Sequence, residues 1–193
     1  MNRPAKFKRT QERHFSAHHM LIEAARVASV RAAKAEGGWL YDALIAITFS
    51  ALAIEALCNS FGVRVFEDWE DLESASPNAK LRLLADKLSI EYVKNDEPWS
   101  TARWLAKFRN RVAHAKPEFV REELLLTQAE LDKRMFDKPE SKLERDITVA
   151  NATRAVGGAE NLKRLLFSRI PPEEAFTLFA DGWSGHTELK PDA

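Results

Sequence analysis

The feature that most limits the fold of this chain is an uncharged stretch at residues 43–54, with the sequence ALIAITFSALAI. Asp42 and Glu55 flank this stretch. It is too short to cross a bilayer, because a spanning helix needs about 20 apolar residues. A helix that is apolar on nearly all sides is typical of the centre of a globular protein. We therefore predict a core helix over about 39–60, and the alternative is a membrane span.

The rest of the chain favours further helices over strands. Glycine occurs 7 times and proline 8 times, with proline mostly at apparent element boundaries, and strand-like alternation is hard to find. Other helices are predicted at about 10–36, after Ser76-Pro77, from Pro98 to just before Pro117, at 141–169, and from Pro171-Pro172 to Gly182. Residues 119–140 are charged and mixed, which predicts a helix or a hairpin arm. The predicted fold class is all-α, with one helical domain over 1–183 and a flexible C-terminal tail over 184–193.

The charges of the chain balance, with 29 Lys and Arg against 29 Asp and Glu. The whole molecule therefore has no general attraction for nucleic acid, and any contact with RNA or DNA must come from a local patch. The start of the chain is basic, with Arg3, Lys6, Lys8 and Arg9. We interpret it as a solvated tail, although such an arm can also reach phosphates. It lacks the apolar region of a secretory signal, so a cytoplasmic location is expected.

Metal and cofactor sites are not predicted. Cys58 is the single cysteine, which excludes an internal disulfide and a multi-cysteine metal site, and its apolar surroundings predict a small buried side chain. His14 and His18 have a metal-like i,i+4 spacing, with His19 beside them, but no well-placed acidic residue completes a site. We expect this set to lie on a solvated helix face. The five tryptophans are expected to anchor the core and interfaces.

The most specific chemistry lies in Arg109-Asn110-Arg111-Val112-Ala113-His114. Arginine is a fixed, planar cation suited to phosphate, and histidine gains or loses a proton near neutral pH. Asn110 and His114 are four residues apart and share one helix face. Spacing alone does not choose between Arg109 and Arg111. The structural alternative is a helix-end cluster in which arginine pairs with a carboxylate and His114 caps the last carbonyls.

Glu55 is the second candidate, because it interrupts the apolar core helix one turn before Asn59. Carboxylates are almost never fully buried without a partner. We therefore predict that Glu55 faces Arg109 or Arg111. Two interpretations stay open: a purely structural ion pair, or a carboxylate that orients the arginine of a functional site.

These residues resemble the HEPN superfamily, whose motif is an arginine followed four to six residues later by a histidine, often with asparagine directly after the arginine. Here Arg109, Asn110 and His114 match that motif. FSALAIEALCN at 49–59 is similar to the HEPN helix that carries an acidic residue facing the motif. PWSTARWLAKFRNRVAHAKPE at 98–118 and ITVANATRAV at 147–156 resemble the motif helix and the start of the last helix of small bacterial HEPN-like proteins.

The resemblance implies a bundle of four to five helices that forms a homodimer, so that two motifs meet in one cleft. Many members are metal-independent endoribonucleases, and the resemblance assigns the catalytic positions to Arg109, Asn110 and His114, with Glu55 as the acidic partner. The aromatic start of the motif helix, with Trp99 and Trp104, is expected to supply apolar anchors for the dimer.

The function expected from the resemblance is RNA cleavage by 2′-OH attack, which leaves 2′,3′-cyclic phosphate and 5′-OH ends, in a toxin–antitoxin or phage-defence role with an antitoxin or other protein partner. HEPN toxins controlled by a nucleotidyltransferase often carry tyrosine two residues after the histidine, where this chain has Lys116. The alternative function is a non-catalytic helical module that binds a nucleotide, RNA or a protein.

Overall fold

A computed structural model describes residues 6–171 and 183–190, and it is mostly helical, with 60% helix. The described residues form seven α-helices and two short strands. In chain order they are β1 (Lys6–Arg13), α1 (Ala17–Lys34), α2 (Trp39–Val65), α3 (Trp69–Leu72), α4 (Pro77–Lys87), α5 (Trp99–Ala113), α6 (Gln128–Arg134), a 3₁₀ helix (Glu144–Asp146), α7 (Val149–Phe167) and β2 (Trp183–Lys190). The helix-dominated fold predicted from the sequence is confirmed.

Helix α2 is the centre of the bundle, as its uncharged run predicts. It packs against α1, α7, α5 and α4. Ala46, Ile47, Leu57 and Phe61 of α2 have no exposed surface. By length and hydropathy α2 is the one described helix that could cross a membrane, but half of its most apolar window is buried within the protein. That burial is the pattern of the core helix of a soluble protein.

Two glycines inside helices lie directly against a side chain of another helix. Helix α2, predicted over about 39–60, continues past Gly62 to Val65. The indole of Trp69 lies against Gly62 so closely that an added Cβ would be 2.1 Å from the ring. Gly157 and Gly158 lie within the continuous helix α7, where an added Cβ on Gly158 would lie 2.3 Å from Thr101 of α5. Gly62 and Gly158 both permit close packing.

Helix α5 contributes its aromatic start to the core. Trp99 is 3% exposed and its indole N–H donates to the carbonyl of Glu91, while Phe108 has no exposed surface. Trp104 is partly buried against the same core. Because Trp99 is buried in the bundle, the sequence-based expectation that it anchors a dimer is wrong, whereas Trp104 keeps part of its surface exposed.

The two ends of the described chain pair with each other, which the sequence did not predict. β1 and β2 form a two-stranded antiparallel sheet in which Phe7 pairs with Leu189 and Arg13 with Trp183. Residues 10–13 of the predicted first helix therefore lie in a strand, and α1 begins at Ala17. Residues 184–190 of the expected flexible tail lie in β2. Residues 191–193 lie outside the described residues. The helix expected from Pro171-Pro172 to Gly182 also lies outside them, except for residue 171.

The segment from 118 to 140, which we call the arm, carries the short helix α6 and is otherwise irregular. A capping box starts α6: the Thr127 hydroxyl accepts from the Glu130 N–H, and the Glu130 carboxylate accepts from the Thr127 N–H. No residue of α6 is buried. The predicted long helix over 141–169 is shorter, because the 3₁₀ helix precedes α7.

Candidate functional site

The site is built where α5 crosses α2. Arg109 and Glu55 are 54 residues apart in the chain, yet the Arg109 Nη2 atom lies 2.5 Å from the Glu55 Oε2 atom. The two side chains are 31% and 28% exposed. A charge-assisted hydrogen bond in this half-covered position fixes the plane of the guanidinium. As the sequence predicts, the carboxylate of the core helix faces an arginine of the motif helix.

The two arginines of the motif have different partners. Arg111 forms an ion pair with Asp146 of the 3₁₀ helix, and its guanidinium lies 5.6 Å from the centre of the Phe108 ring. Arg111 thus links α5 to the segment before α7, whereas Arg109 is held by α2. Spacing alone did not choose between Arg109 and Arg111, and the structure shows that Arg109 makes the contact with Glu55.

Asn110 and His114 complete the cluster at the end of α5. The Arg109 Nη1 atom donates to the Asn110 Oδ1 atom over 3.0 Å, so the guanidinium bridges a carboxylate and a carboxamide. The backbone N–H of His114 donates to the Asn110 carbonyl at the helix C-cap. The imidazole of His114 is exposed, and within residues 6–171 and 183–190 it has no hydrogen-bond partner. It is therefore open to a ligand.

This geometry combines one oriented cation with one solvent-accessible proton carrier. Glu55 and Asn110 limit the motion of Arg109, while about a third of its surface stays open to an anion. Arginine binds phosphate oxygens through paired N–H donors, and an imidazole moves protons near neutral pH. The arrangement suits a phosphodiester held at Arg109 and a proton transfer at His114.

A polar pair joins α2 to α4 one turn beyond Glu55: Asn59 of α2 is partly buried, and Lys80 of α4 is buried. Lys80 is 2% exposed, and its Nζ atom donates to the Asn59 Oδ1 atom over 2.9 Å and lies 5.7 Å from the centre of the Trp69 ring. The sequence pointed to Asn59, because Asn59 follows Glu55 by one turn on the same face of an apolar helix. The partner Lys80 was missed because it lies in an ordinary mixed helix, α4.

Cys58 is buried, as predicted, and is not a nucleophile. Burial raises the pKa of its thiol to about 12, against the opposing charge of Lys80 and with a further rise from Glu55. The thiol therefore stays protonated at neutral pH.

Of the three histidines expected on a solvated helix face, His14 is exposed but precedes α1, and the expectation is wrong for His18 and His19. His18 has no exposed surface, and its Nδ1 atom lies 3.1 Å from the hydroxyl of Ser60 near the end of α2. His19 contacts Lys163 of α7 at 3.4 Å. The expectation is wrong because α1 packs on both α2 and α7 and turns these rings inward. Within the described part of the chain, no three metal-ligating side chains gather at one place.

Comparison of the chain with protein-family models, with characterised proteins and with solved structures finds no match.

Proposed function

We propose that this protein is a metal-independent endoribonuclease of the HEPN type. The observation that carries the proposal is the Glu55–Arg109–Asn110 chain of contacts placed about one turn before the exposed imidazole of His114. A purely structural ion pair accounts for Glu55 and Arg109, and the proposal adds His114, which ends the same helix four residues after Asn110 with an exposed side chain.

The reaction is a transesterification within the RNA chain. The 2′-OH attacks the adjacent phosphorus, the bond from its oxygen to phosphorus forms, and the bond from phosphorus to the 5′ oxygen breaks. His114 accepts the proton of the 2′-OH or donates one to the leaving 5′ oxygen, a role that contributes about 10²–10⁴-fold. Arg109 stabilises the charge that develops on the phosphoryl oxygens, and Asn110 orients the phosphate or the imidazole. Glu55 is a positioning residue for Arg109.

A second copy of the chain supplies what one copy lacks. The reaction needs a base for the 2′-OH and an acid for the leaving oxygen, and one chain offers a single imidazole in this cluster. A two-fold axis beside the motif brings two His114 and two Arg109 around one phosphate. We propose this homodimer with an interface that does not depend on Trp99, because Trp99 is buried.

The arm directly after the motif helix offers the apolar surface for that dimer. Phe119, Leu125 and Phe136 of the arm are 90%, 104% and 94% exposed. Large exposed apolar side chains close together in the chain are typical of interaction surfaces. The arm begins four residues after His114 in the chain, and Phe119 at its start is the exposed ring that lies nearest to the motif in sequence.

The cellular setting is part of the same proposal. A toxin–antitoxin or phage-defence role, and control by an antitoxin or other protein, come from the resemblance alone, and the cytoplasmic location is a separate expectation from the sequence. Lys116 occupies the place where tyrosine stands in nucleotidyltransferase-controlled members, which disfavours that form of control.

A non-catalytic binding module is the second candidate, and one observation favours it. The charge of Arg109 is already matched by Glu55, and more than two thirds of its side chain is covered. Such an arginine offers less to a phosphate than a free one, and the chain as a whole has no net charge. In this alternative the cluster binds a nucleotide, RNA or protein without reaction.

The decisive experiment incubates the protein with total RNA in EDTA, beside the variants His114→Ala, Arg109→Ala and Arg111→Ala. Wild type and Arg111→Ala are expected to cleave, while the other two variants lose activity and keep their helical circular dichroism. Arg111→Ala is the matched control because that arginine pairs with Asp146 instead. Equal cleavage by all four proteins, or none by wild type, contradicts the nuclease and favours the binding module.

A further inference from the structure

The sheet formed by β1 and β2, which we call the ribbon, has no buried surface. All seven described side chains of β2 are exposed, and on β1 only Thr10 of the described side chains is partly covered. Two isolated strands are only marginally stable in water, and strand edges attract binding partners. A ribbon with no contribution to the core is expected to have a partner.

One face of the ribbon carries cations and aromatic rings without a carboxylate. Side chains alternate along a strand, and directly paired residues share a face. The register places four pairs on this face: Phe7 with Leu189, Arg9 with Thr187, Gln11 with Gly185, and Arg13 with Trp183. Both acidic residues of the described strands, Glu12 and Glu188, lie on the opposite face.

The order of these side chains matches an unpaired nucleic acid strand. Phe7 and Trp183 are 64% and 67% exposed and mark the two ends of the face, about 20 Å apart along the strand. Arg9 lies between them, and in the middle of the face the Gln11 side chain lies over Gly185, where an added Cβ would be 3.2 Å from the Gln11 Cγ atom. Arg13 lies beside Trp183, with its guanidinium 5.0 Å from the centre of the Phe15 ring. Exposed rings stack on bases, while arginines neutralise phosphates.

We infer that this face of the ribbon is a binding surface for single-stranded nucleic acid. One part of the inference rests on the proposed function, namely that the bound strand is the RNA substrate. The binding of a single strand to the ribbon does not depend on it. The contacts are to phosphates and base faces, so single-stranded DNA binds the ribbon as well, although it lacks the 2′-OH needed for cleavage. The local positive face explains how a chain of zero net charge engages RNA.

The test measures binding of a fluorescent, unstructured RNA of about 12 nucleotides across a salt series. The His114→Ala protein is the background, so that cleavage does not interfere. Arg9→Ala/Arg13→Ala should flatten the slope of log K against log[salt] by about 1.4 and weaken binding roughly 10- to 30-fold at 0.1 M salt. Trp183→Ala should weaken binding about 5- to 100-fold with little change in slope.

Two further variants keep the test decisive. Lys34→Ala/Lys94→Ala is the matched control, because it removes the same charge from exposed positions outside the ribbon, and it should bind as the background does. Gln11→Arg adds a cation to the ribbon face and should tighten binding about fivefold at 0.1 M salt. Equal weakening by the control and ribbon variants, or no gain from Gln11→Arg, overturns the inference.

The outcomes separate the ribbon from the proposed nuclease. RNA binding lost in the ribbon variants, with no cleavage by wild type, supports the ribbon and contradicts the nuclease. Cleavage by wild type, with unchanged RNA binding in the ribbon variants, supports the nuclease and contradicts the ribbon as the binding surface. If the ribbon variants lose binding to phosphatidylserine vesicles and keep RNA affinity, the partner is a membrane surface and the inference is wrong.

Discussion

Replacing Glu55 by glutamine tests the contact that holds the site together. Glu55→Gln keeps the shape of the side chain but removes the charge that faces Arg109. An exposed ion pair contributes about 0–1 kcal/mol, whereas breaking a fully buried pair costs about 3–5 kcal/mol. The side chains are 28% and 31% exposed, so we expect an intermediate loss in the free energy of unfolding of roughly 1–2 kcal/mol.

Urea unfolding followed by circular dichroism measures this loss. A chain of this size changes its Tm by about 2–4 °C for each kcal/mol, so thermal unfolding should show a fall of roughly 2–8 °C. Arg109→Gln should destabilise similarly, and the double variant should lose about 1 kcal/mol less than the two single losses together. Asp146→Asn is the control: it breaks the more exposed pair with Arg111 and should cost less than about 1 kcal/mol.

The interpretation of Glu55 fails if Glu55→Gln and Arg109→Gln destabilise additively. Additive losses would mean that the two side chains do not interact in solution, whatever their separate effects. A loss from Glu55→Gln as small as the loss from Asp146→Asn would also contradict the claim that α2 positions the motif.

Three further results are expected. Gly62→Ala should lower the free energy of unfolding by about 1–3 kcal/mol, because its Cβ meets Trp69 at 2.1 Å; Gly157→Ala, which meets nothing within 4 Å, should be neutral or stabilise by up to about 1 kcal/mol. The Cys58 thiol should react with a maleimide only as fast as the protein unfolds, and rapid labelling of native protein would contradict its burial. For Glu97, burial raises the pKa, but hydrogen bonds from Ser100 and Thr101 and the charge of Arg154 outweigh burial and lower the pKa below the ordinary 4.5. The ionised carboxylate therefore stabilises the fold above pH 4.5, and this stabilisation is lost as the pH falls. The difference in Tm between wild type and Glu97→Gln should shrink from about pH 6 to about pH 3.

The central part of the fold and of the site was predictable because both depend on burial. An uncharged run has to form the core, and a single carboxylate within it has to meet a cation on another helix. These two requirements placed α2 at the centre and Glu55 opposite the motif helix. They also left Arg109 and Arg111 equivalent, since both are long enough to reach, and only the packing of α5 decides between them.

The ribbon could not be predicted from local pattern. Strands are recognised by an apolar face, and β1 carries polar residues on both faces, so its residues 10–13 read as the start of a helix. Its partner β2 lies about 170 residues further along the chain. Pairing between such distant segments leaves no periodic signal in either one.

The inward histidine and the buried lysine were missed for a related reason. His18 and Lys80 are polar residues that usually mark a solvated face, and each is buried because a specific partner, Ser60 or Asn59, accepts or donates a hydrogen bond. Sequence patterns show which residues are polar, but not which polar residues find each other.

The most direct test of the proposed function uses one RNA oligonucleotide with a single 2′-deoxy substitution. The cleavage site is first mapped in EDTA, and the 2′-OH on the 5′ side of that bond is then replaced by hydrogen. We predict that cleavage at that bond stops, while the unmodified RNA yields 2′,3′-cyclic phosphate and 5′-OH ends that depend on His114. Continued cleavage of the substituted bond, or products with a 5′-phosphate, would contradict 2′-OH attack and with it the proposed mechanism.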